Sequence, residues 1–382
     1  MKRFVALVAL LFSATSTFAF QTRTVNCSEG QSLNLTLATL LKFLPATVTI
    51  QGTCTEYVLI QGFDNLTLTG APGATLQQPG TNPPSSSPYV LSIKASRNVT
   101  VSGVAVRSLP SAFSSIGIGG GSNQVRLQDV TTDGSWGIVV YEASQVWLVR
   151  ATVNITSGFA GISAFDKSDV HIVDGLIERP ANSNFNAGIL AASGHVTMQG
   201  MTIRDMQQGI SIGTSGSVDL VNFDSTAAGI DVIVDNPSGT NFNGALVLGS
   251  SSLNLSSAKL RINNAGQPYG GDSGAVFVGS GSTLNASSSL VVTNSRGQGV
   301  IVSNDSHAQL GNSSITGGAH GGLVVMNLST ADVDFGSTVT ISGNGTDVFC
   351  DSKSRISSGA SIANAITVSC SNLIPGTYEN LP

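Results

Sequence analysis

A four-residue pattern recurs along this chain and constrains its fold more than any other feature. It consists of a polar residue, an apolar residue, any residue and a second apolar residue. It appears as Asn98-Val99-Thr100-Val101, Gln124-Val125-Arg126-Leu127, Gln145-Val146-Trp147-Leu148, Asp169-Val170-His171-Ile172 and His195-Val196-Thr197-Met198. It continues as Ser217-Val218-Asp219-Leu220, Ser252-Leu253-Asn254-Leu255, Thr283-Leu284-Asn285-Ala286, His307-Ala308-Gln309-Leu310 and Asp332-Val333-Asp334-Phe335. Successive copies start 26, 21, 24, 26, 22, 35, 31, 24 and 25 residues apart. Alternation with a period of two is the signature of a strand with one buried face.

Two further elements complete most copies. A second apolar pair lies five and seven positions after the first apolar residue, as at Val104 and Val106 and, more weakly, at Gly175 and Ile177. A turn-type position separates the two pairs: Gly103, Asp129, Arg150, Asp174, Gly200 and Asn222. The third element opens on glycine, as in Gly117-Ile118, Gly137-Ile138-Val139-Val140, Gly161-Ile162, Gly188-Ile189-Leu190 and Gly209-Ile210-Ser211-Ile212. Gly229-Ile230-Asp231-Val232, Gly274-Ala275-Val276-Phe277, Gly299-Val300-Ile301-Val302 and Gly322-Leu323-Val324-Val325 extend this series.

Each unit therefore reads as three short strands separated by turns. Such strands cannot bury their apolar face alone, but stacked coils share one continuous core. Three strands per repeat with no helical spacer predict an all-β, parallel β-solenoid of about 11–13 rungs. A sandwich is the alternative. Its hairpins would want tight two-residue turns at regular intervals, and the three-part phase argues against it.

Composition agrees. Only 10% of residues are Asp, Glu, Lys or Arg, against about 25% in ordinary domains, so charged helical arrays are excluded. The hydrophobic share of 41% excludes a disordered chain. With 17 basic residues against 22 acidic ones, nucleic acid is not an expected partner.

The repeats resemble the right-handed parallel β-helix of the pectin-lyase-like superfamily over roughly residues 25–370. Residues 28–44 carry Leu33, Leu37, Leu40, Leu41 and Leu44 at helical spacing. The resemblance implies that this short helix caps the open end of a single-stranded right-handed solenoid. Capping is physically needed where an end rung exposes apolar side chains and strand edges. The expected organisation is a signal peptide at 1–19, an N-terminal cap and first rung at 25–60, β-helix repeats at 61–345, and a C-terminal cap and tail at 346–382.

The start of the chain reads as a secretory signal. Lys2 and Arg3 precede a nine-residue apolar run at 4–12, and Thr17 and Ala19 fit a cleavage site. The run is too short to span a bilayer, and no later segment predicts a transmembrane helix. Removal of residues 1–19 leaves 15 basic against 22 acidic residues, a net charge of −7. Localisation is expected to be secreted, extracellular or periplasmic. The four cysteines then predict two disulfides, Cys27–Cys54 and Cys350–Cys370, because both spacings approximate the repeat. Zinc is the alternative, without a CxxC or a Cys/His cluster to support it. Eleven Asn-x-Ser/Thr sequons occur, as composition alone would produce in turns rich in Asn, Ser and Thr.

Stacking turns repeat positions into columns. The polar residue opening each quartet forms one column, which accounts for His195 and His307 as ladder residues. His171 lies between apolar positions and is expected to point outward. Asp129, Arg150 and Asp174 form another column, read as a salt-bridge ladder or, alternatively, as a calcium or acidic-sugar site with Asp129 and Asp174 as ligands. The variable loops between second and third strands (109–115, 132–136, 157–160, 179–187, 205–208, 225–228 and 263–273) gather at one corner. Phe113, Trp136, Phe159, Phe185 and Tyr269 fall there. Arg107, Asp133, Trp136, Glu178, Arg179, Arg204 and Asp205 are the candidate substrate-binding residues, since aromatic faces with sparse charges suit sugar rings. Loop aromatics that merely cover the core are the competing reading.

Enzyme chemistry is less legible. Polygalacturonases of this fold carry Asn-Thr-Asp, Asp-Asp, Gly-His-Gly and Arg-Ile-Lys motifs. Here Gly318-Ala319-His320-Gly321 and Arg261-Ile262-Asn263 only echo the last two, in the reverse order, and no Asn-Thr-Asp or Asp-Asp occurs. Polysaccharide lyases of the fold use calcium and an Arg or Lys base, for which Asp129, Asp133 and Asp174 with Arg150, Arg179 or Arg204 have permissive spacing, with Asp166-Lys167 nearby. No catalytic residue is assigned; an enzyme of this kind would be a polysaccharide lyase or a related carbohydrate-active enzyme. Two readings stand: a secreted, monomeric β-helix that binds or modifies a polysaccharide or cell-surface glycan at a lateral groove, and a non-catalytic extracellular structural or adhesive solenoid.

Overall fold

In a computed structural model, the protein is a parallel β-solenoid. The structure describes residues 20–80, 88–109, 114–156, 158–179, 187–223, 231–236, 243–267, 273–287, 289–333, 338–358, 368–370 and 373–375. The predicted signal segment lies outside them. Three parallel sheets of 15, 12 and 13 strands run the length of the molecule. We number the sheets in the order the chain visits them within one rung. Arg97–Ser102 lies in the first sheet, Ala105–Arg107 in the second and Ser114–Gly119 in the third. Each strand pairs with its equivalents in the adjoining rungs, so the second sheet marks about 12 turns.

The quartets build the first sheet. Their apolar residues point inward: Val99, Val101, Val125, Leu127, Val146, Leu148, Val170 and Ile172 are all fully buried. Val125, Val146, Val170 and Val196 stack in register, as do Leu127, Leu148, Ile172 and Met198. The third sheet differs because several of its strands are apolar on both faces. Outward Val139, Leu190, Phe277, Ile301 and Val324 are buried as well as their inward neighbours. This accounts for the continuous apolar runs there, as expected of parallel strands covered on two sides.

Glycine opens the third strand because the corner is too tight for a side chain. A Cβ on Gly188 would sit 2.5 Å from Ile203 Cγ2 and 2.7 Å from the Gly209 carbonyl oxygen. On Gly209 it would sit 2.4 Å from Val234 Cγ1 and 2.5 Å from the Gly244 oxygen.

Serine lines the corner between the third and first sheets. The backbone N–H groups of Ser96, Ser122 and Ser144 donate to the Oγ of Ser122, Ser144 and Ser168, at 3.2, 3.1 and 3.1 Å. A second run joins Ser251, Ser282, Ser306, Ser329 and Ser354 in the same way, at 3.1–3.3 Å. All of these serines are buried. The ladder supplies side-chain acceptors to buried turn N–H groups.

Both predicted disulfides form. Cys27–Cys54 spans a Cα separation of 5.0 Å and Cys350–Cys370 one of 4.5 Å. The second joins in-register residues of adjacent third-sheet strands. Strand pairing continues past residue 345, through Arg355–Ser358 and Leu373–Pro375 of the first sheet.

Three details depart from the sequence reading. The N-terminal helix covers only Leu33–Ala38, after a short 3-10 turn at Cys27–Glu29. Leu33, Leu37 and Leu40 are buried, but Leu41 is exposed. After the Thr39 cap the chain passes through turns, with Leu40 N–H donating to the Leu37 carbonyl and Leu44 N–H to that of Leu41, before Ala46–Gln51 enters the first sheet. Val232–Asp235, expected in the third sheet, instead pairs with Thr202–Arg204 and Leu260–Asn263 in the second. The long 35-residue step therefore carries an insertion between its first and second strands, and Asn243–Val247 supplies its third-sheet strand. Finally, Thr330, not Asp332, stacks on His307, with Ala331 and Val333 facing inward. A slip of two residues preserves the inward face, so alternation alone did not distinguish the two registers.

Candidate functional site

The second sheet collects most of the candidate residues in one column. Arg107, Asp133, Asn154 and Glu178 are successive partners across rungs. Pairing of Leu176 with Thr202 and Ile177 with Ile203 sets Arg204 beside Glu178, and Asp235 follows Arg204. Each follows a buried second-sheet residue, such as Val106, Thr132, Val153, Ile177 or Ile203, and alternation turns it outward. Rungs about 4.8 Å apart bring these side chains within reach of one another.

The first members of the column are connected. Arg107 Nε lies 3.4 Å from Asp133 Oδ2, and Asn154 Nδ2 donates to Asp133 Oδ1 at 2.7 Å. Asn154 was not singled out in the sequence, although it occupies the same repeat position. A cleft of 360 Å³ opens here, lined by Gln77, Arg107, Leu109 and Asp133 among others. One corner away, Trp136 stacks on Phe159 with ring centroids 5.5 Å apart and planes at 25°. Phe159 is about half exposed, at 49%. Phe113, Phe185 and Tyr269 lie outside the described residues.

The other candidates divide. Arg179 is buried, and desolvation holds its guanidinium below its ordinary pKa. Asp205 is a turn residue with φ of 55°, whose N–H donates to the Asp235 carbonyl at 3.1 Å. Asp129, Arg150 and Asp174 occupy the other end of the second-sheet strands, each in a left-handed turn conformation. Arg150 forks both oxygens of Asp129, Nε to Oδ1 at 2.6 Å and the terminal nitrogen to Oδ2 at 2.8 Å. The Arg150 guanidinium holds the Asp129 carboxyl below the usual carboxylate range. Both oxygens of the weak calcium candidate Asp129 are thus engaged by a cation. Asp166 and Lys167 are left-handed turn residues between the third and first sheets. Among the described residues, one set of metal-ligating atoms clusters, at Cys27, Cys54 and Glu56. Its cysteines are joined in a disulfide, so no thiolate is available there.

A second group of aromatic and polar side chains lies on the outward face of the first sheet. Trp147 and His171 are in-register neighbours, stacked with centroids 4.3 Å apart at 26°. Phe223 meets both edge-on, at 5.5 and 6.3 Å. His171 Nε2 lies 3.0 Å from Asp169 Oδ2, and Gln145 Nε2 donates to the same oxygen at 3.3 Å. Burial pushes the Asp169 carboxyl up, but these hydrogen bonds and the nearby imidazoles outweigh it and leave it below its ordinary value. His195 contacts Ser217 Oγ at 2.7 Å and Thr197 Oγ1 at 3.0 Å. The signal for this group was present: Trp147 and His171 hold the same third position in consecutive quartets.

No protein-family model matches this chain, and no curated protein sequence matches it.

Proposed function

We propose that this chain is a secreted, right-handed β-helix of the pectin-lyase-like kind that binds a polysaccharide or cell-surface glycan at the corner between the second and third sheets. One observation carries the reading: a single column holds Arg107, Asp133, Asn154, Glu178 and Arg204 beside the stacked rings of Trp136 and Phe159. An exposed aromatic face accepts the apolar face of a sugar ring, and the column offers amide, guanidinium and carboxylate partners for its hydroxyls. Two disulfides and the leader-like residues 1–19 support an oxidising, exported location.

Titration of the full chain with a panel of neutral and acidic polysaccharides, by calorimetry, tests the reading. Trp136→Ala is expected to weaken binding at least tenfold. Lack of binding across the panel, or affinity indifferent to Trp136→Ala and Asp133→Ala, refutes it. Ultraviolet absorbance of unsaturated products, with and without calcium, tests for lyase chemistry in the same samples.

A non-catalytic structural or adhesive solenoid is the second reading. It is favoured by the use of charges to tie neighbouring rungs, as in Arg97–Asp64 at 2.5 Å, Arg150–Asp129 at 2.6 Å and Arg261–Asp231 at 2.6 Å.

A further inference from the structure

The N-terminal end of the solenoid is apolar on its outer side. Among the described residues nine large apolar side chains are exposed, and five of them are Phe20, Leu35, Leu41, Phe43 and Leu59. The other four are spread between residues 109 and 349. Such clustering runs against the need of a solenoid end, where a terminal cap stays soluble by turning a polar face to water.

The five belong to the cap and the first rung. The three sheets begin here, with Gln21–Asn26, Thr53–Thr55 and Val58–Gln61. The helix Leu33–Ala38 packs on the first and third of these strands. Leu33 and Leu37 are buried beneath it, so Leu35, half a turn from both, points away from the core. These residues are also pinned. Gln21 Nε2 donates to the Leu41 carbonyl and Gln21 Oε1 accepts from the Leu41 N–H, each at 3.0 Å. The Lys42 carbonyl accepts from the Asp64 N–H at 2.8 Å, and Lys42 Nζ stands 5.6 Å from the centre of the Phe63 ring. Asn34 Oδ1, next to Leu35, accepts from the Leu59 N–H at 3.1 Å. Apolar groups already held in place lose little freedom when a partner covers them.

Charge and area select the partner. Residues 20–61 hold Arg23 and Lys42 against Glu29 and Glu56, so this end is neutral. The net charge of −7 expected after loss of residues 1–19 therefore lies entirely on the rest of the solenoid. Two copies repel least when they meet cap to cap. Anionic lipid is drawn instead by an excess of basic residues, which this end does not have. The five side chains are 39–71% exposed. They present roughly 500 Å² per copy, or about 1,000 Å² for two copies, the size at which a specific interface holds.

We propose that the chain without its leader-like residues 1–19 forms a head-to-head dimer, rather than the monomer expected from the sequence. The two caps cover each other's Leu35, Leu41 and Phe43 about a two-fold axis, with Phe20 and Leu59 at the rim. One patch meets itself, so the contact closes at two copies and does not grow into a fibre. The column from Arg107 to Arg204 lies outside the contact, so the dimer stands whether or not the corner binds glycan.

The full chain is expressed with its leader, its N-terminus is read by mass spectrometry, and its mass is followed by sedimentation over a wide concentration range. A dimer in the micromolar range is expected. The 15 strands of the first sheet stack to about 70 Å, so small-angle scattering should give the dimer a length of about 140 Å. Leu35→Asp and Phe43→Asp, both at exposed positions, should each raise the dissociation constant at least tenfold with the circular dichroism unchanged. Leu328→Asp, exposed far from the cap, should leave the dimer intact. The proposal is overturned by a monomer at every concentration, with or without residues 1–19, or by a dimer that survives both cap substitutions. A dimer no longer than one solenoid, or a monomer that binds phospholipid vesicles through Leu35 and Phe43, overturns it as well.

Discussion

The Glu56 carboxylate accepts a hydrogen bond from the backbone N–H of Leu33 at 2.6 Å, locking the first turn of the N-terminal helix to the second sheet's end of the first rung. The same carboxylate takes the Asn34 N–H at 3.2 Å, Asn34 Nδ2 at 2.8 Å and the Ser32 hydroxyl at 2.9 Å. Ser32 Oγ in turn caps the helix by accepting from the Leu35 N–H. Glu56 lies two residues beyond Cys54, so the disulfide and the carboxylate fasten the same corner. A negative charge here meets the unsatisfied donors of a helix start. Glu56→Gln is expected to cost about 1–3 kcal/mol, since an amide presents a donor to donors. Urea unfolding, with proteolysis of the N-terminal segment as a local probe, measures it.

The serine ladder makes a second prediction. Ser168→Ala leaves the buried Ser144 N–H without its acceptor. The expected loss is about 1–3 kcal/mol, the desolvation cost of an unmade bond. Ser282→Ala, which deprives Ser251 in the same way, should match it. Thermal or urea denaturation of both variants checks whether the two runs of the ladder are equivalent.

Glycine at the third-strand corner is tested by contrast. Gly209→Ala drives a methyl to 2.4 Å from Val234 Cγ1 and 2.5 Å from a backbone oxygen. It should destabilise by about 1–3 kcal/mol, as overpacking does. Gly213→Ala, four residues on, has open space around the new methyl. It is expected to be neutral or to stabilise by up to about 1 kcal/mol through the unfolded state. Equal effects of the two in a denaturation series refute the steric account.

The pH dependence follows from Asp169. Its folded pKa lies below the ordinary value of about 3.9, because the bonds from His171 and Gln145 outweigh burial. Its contribution to stability is therefore complete above that value and lost as pH falls through the folded one. Asp169→Asn should lower stability at neutral pH and flatten its decline between about pH 5 and pH 2. Melting temperatures across that range provide the measurement.

Much of this architecture was legible in the chain because strand alternation and repeat length are local properties. Val99, Val125, Val146 and Val170 could be placed in one buried column from the repeat alone, and the two disulfides followed from the same spacing. Arg107, Asp133, Glu178 and Arg204 proved to share a column because each follows the same inward-facing position of its unit. The errors fell where local pattern is degenerate. Asp332-Val333-Asp334-Phe335 repeats the quartet two residues late, and Gly229 mimics a third-strand start inside an insertion. Helical spacing of leucines extended the cap beyond Ala38, where the chain instead runs through turns into the first-sheet strand Ala46–Gln51.

Alternation along each strand thus decides which side chains face the core, and repeat length decides that rungs stack. Neither decides which outward residues meet. The Trp147–His171 stack, the serine ladder, the Arg150–Asp129 fork and the clamp of Glu56 on Leu33 join residues 20 or more positions apart. Such contacts depend on the register between rungs and on the insertions that shift it. Only the folded stack sets that register, because burial of the shared core selects one alignment from several that the pattern alone permits.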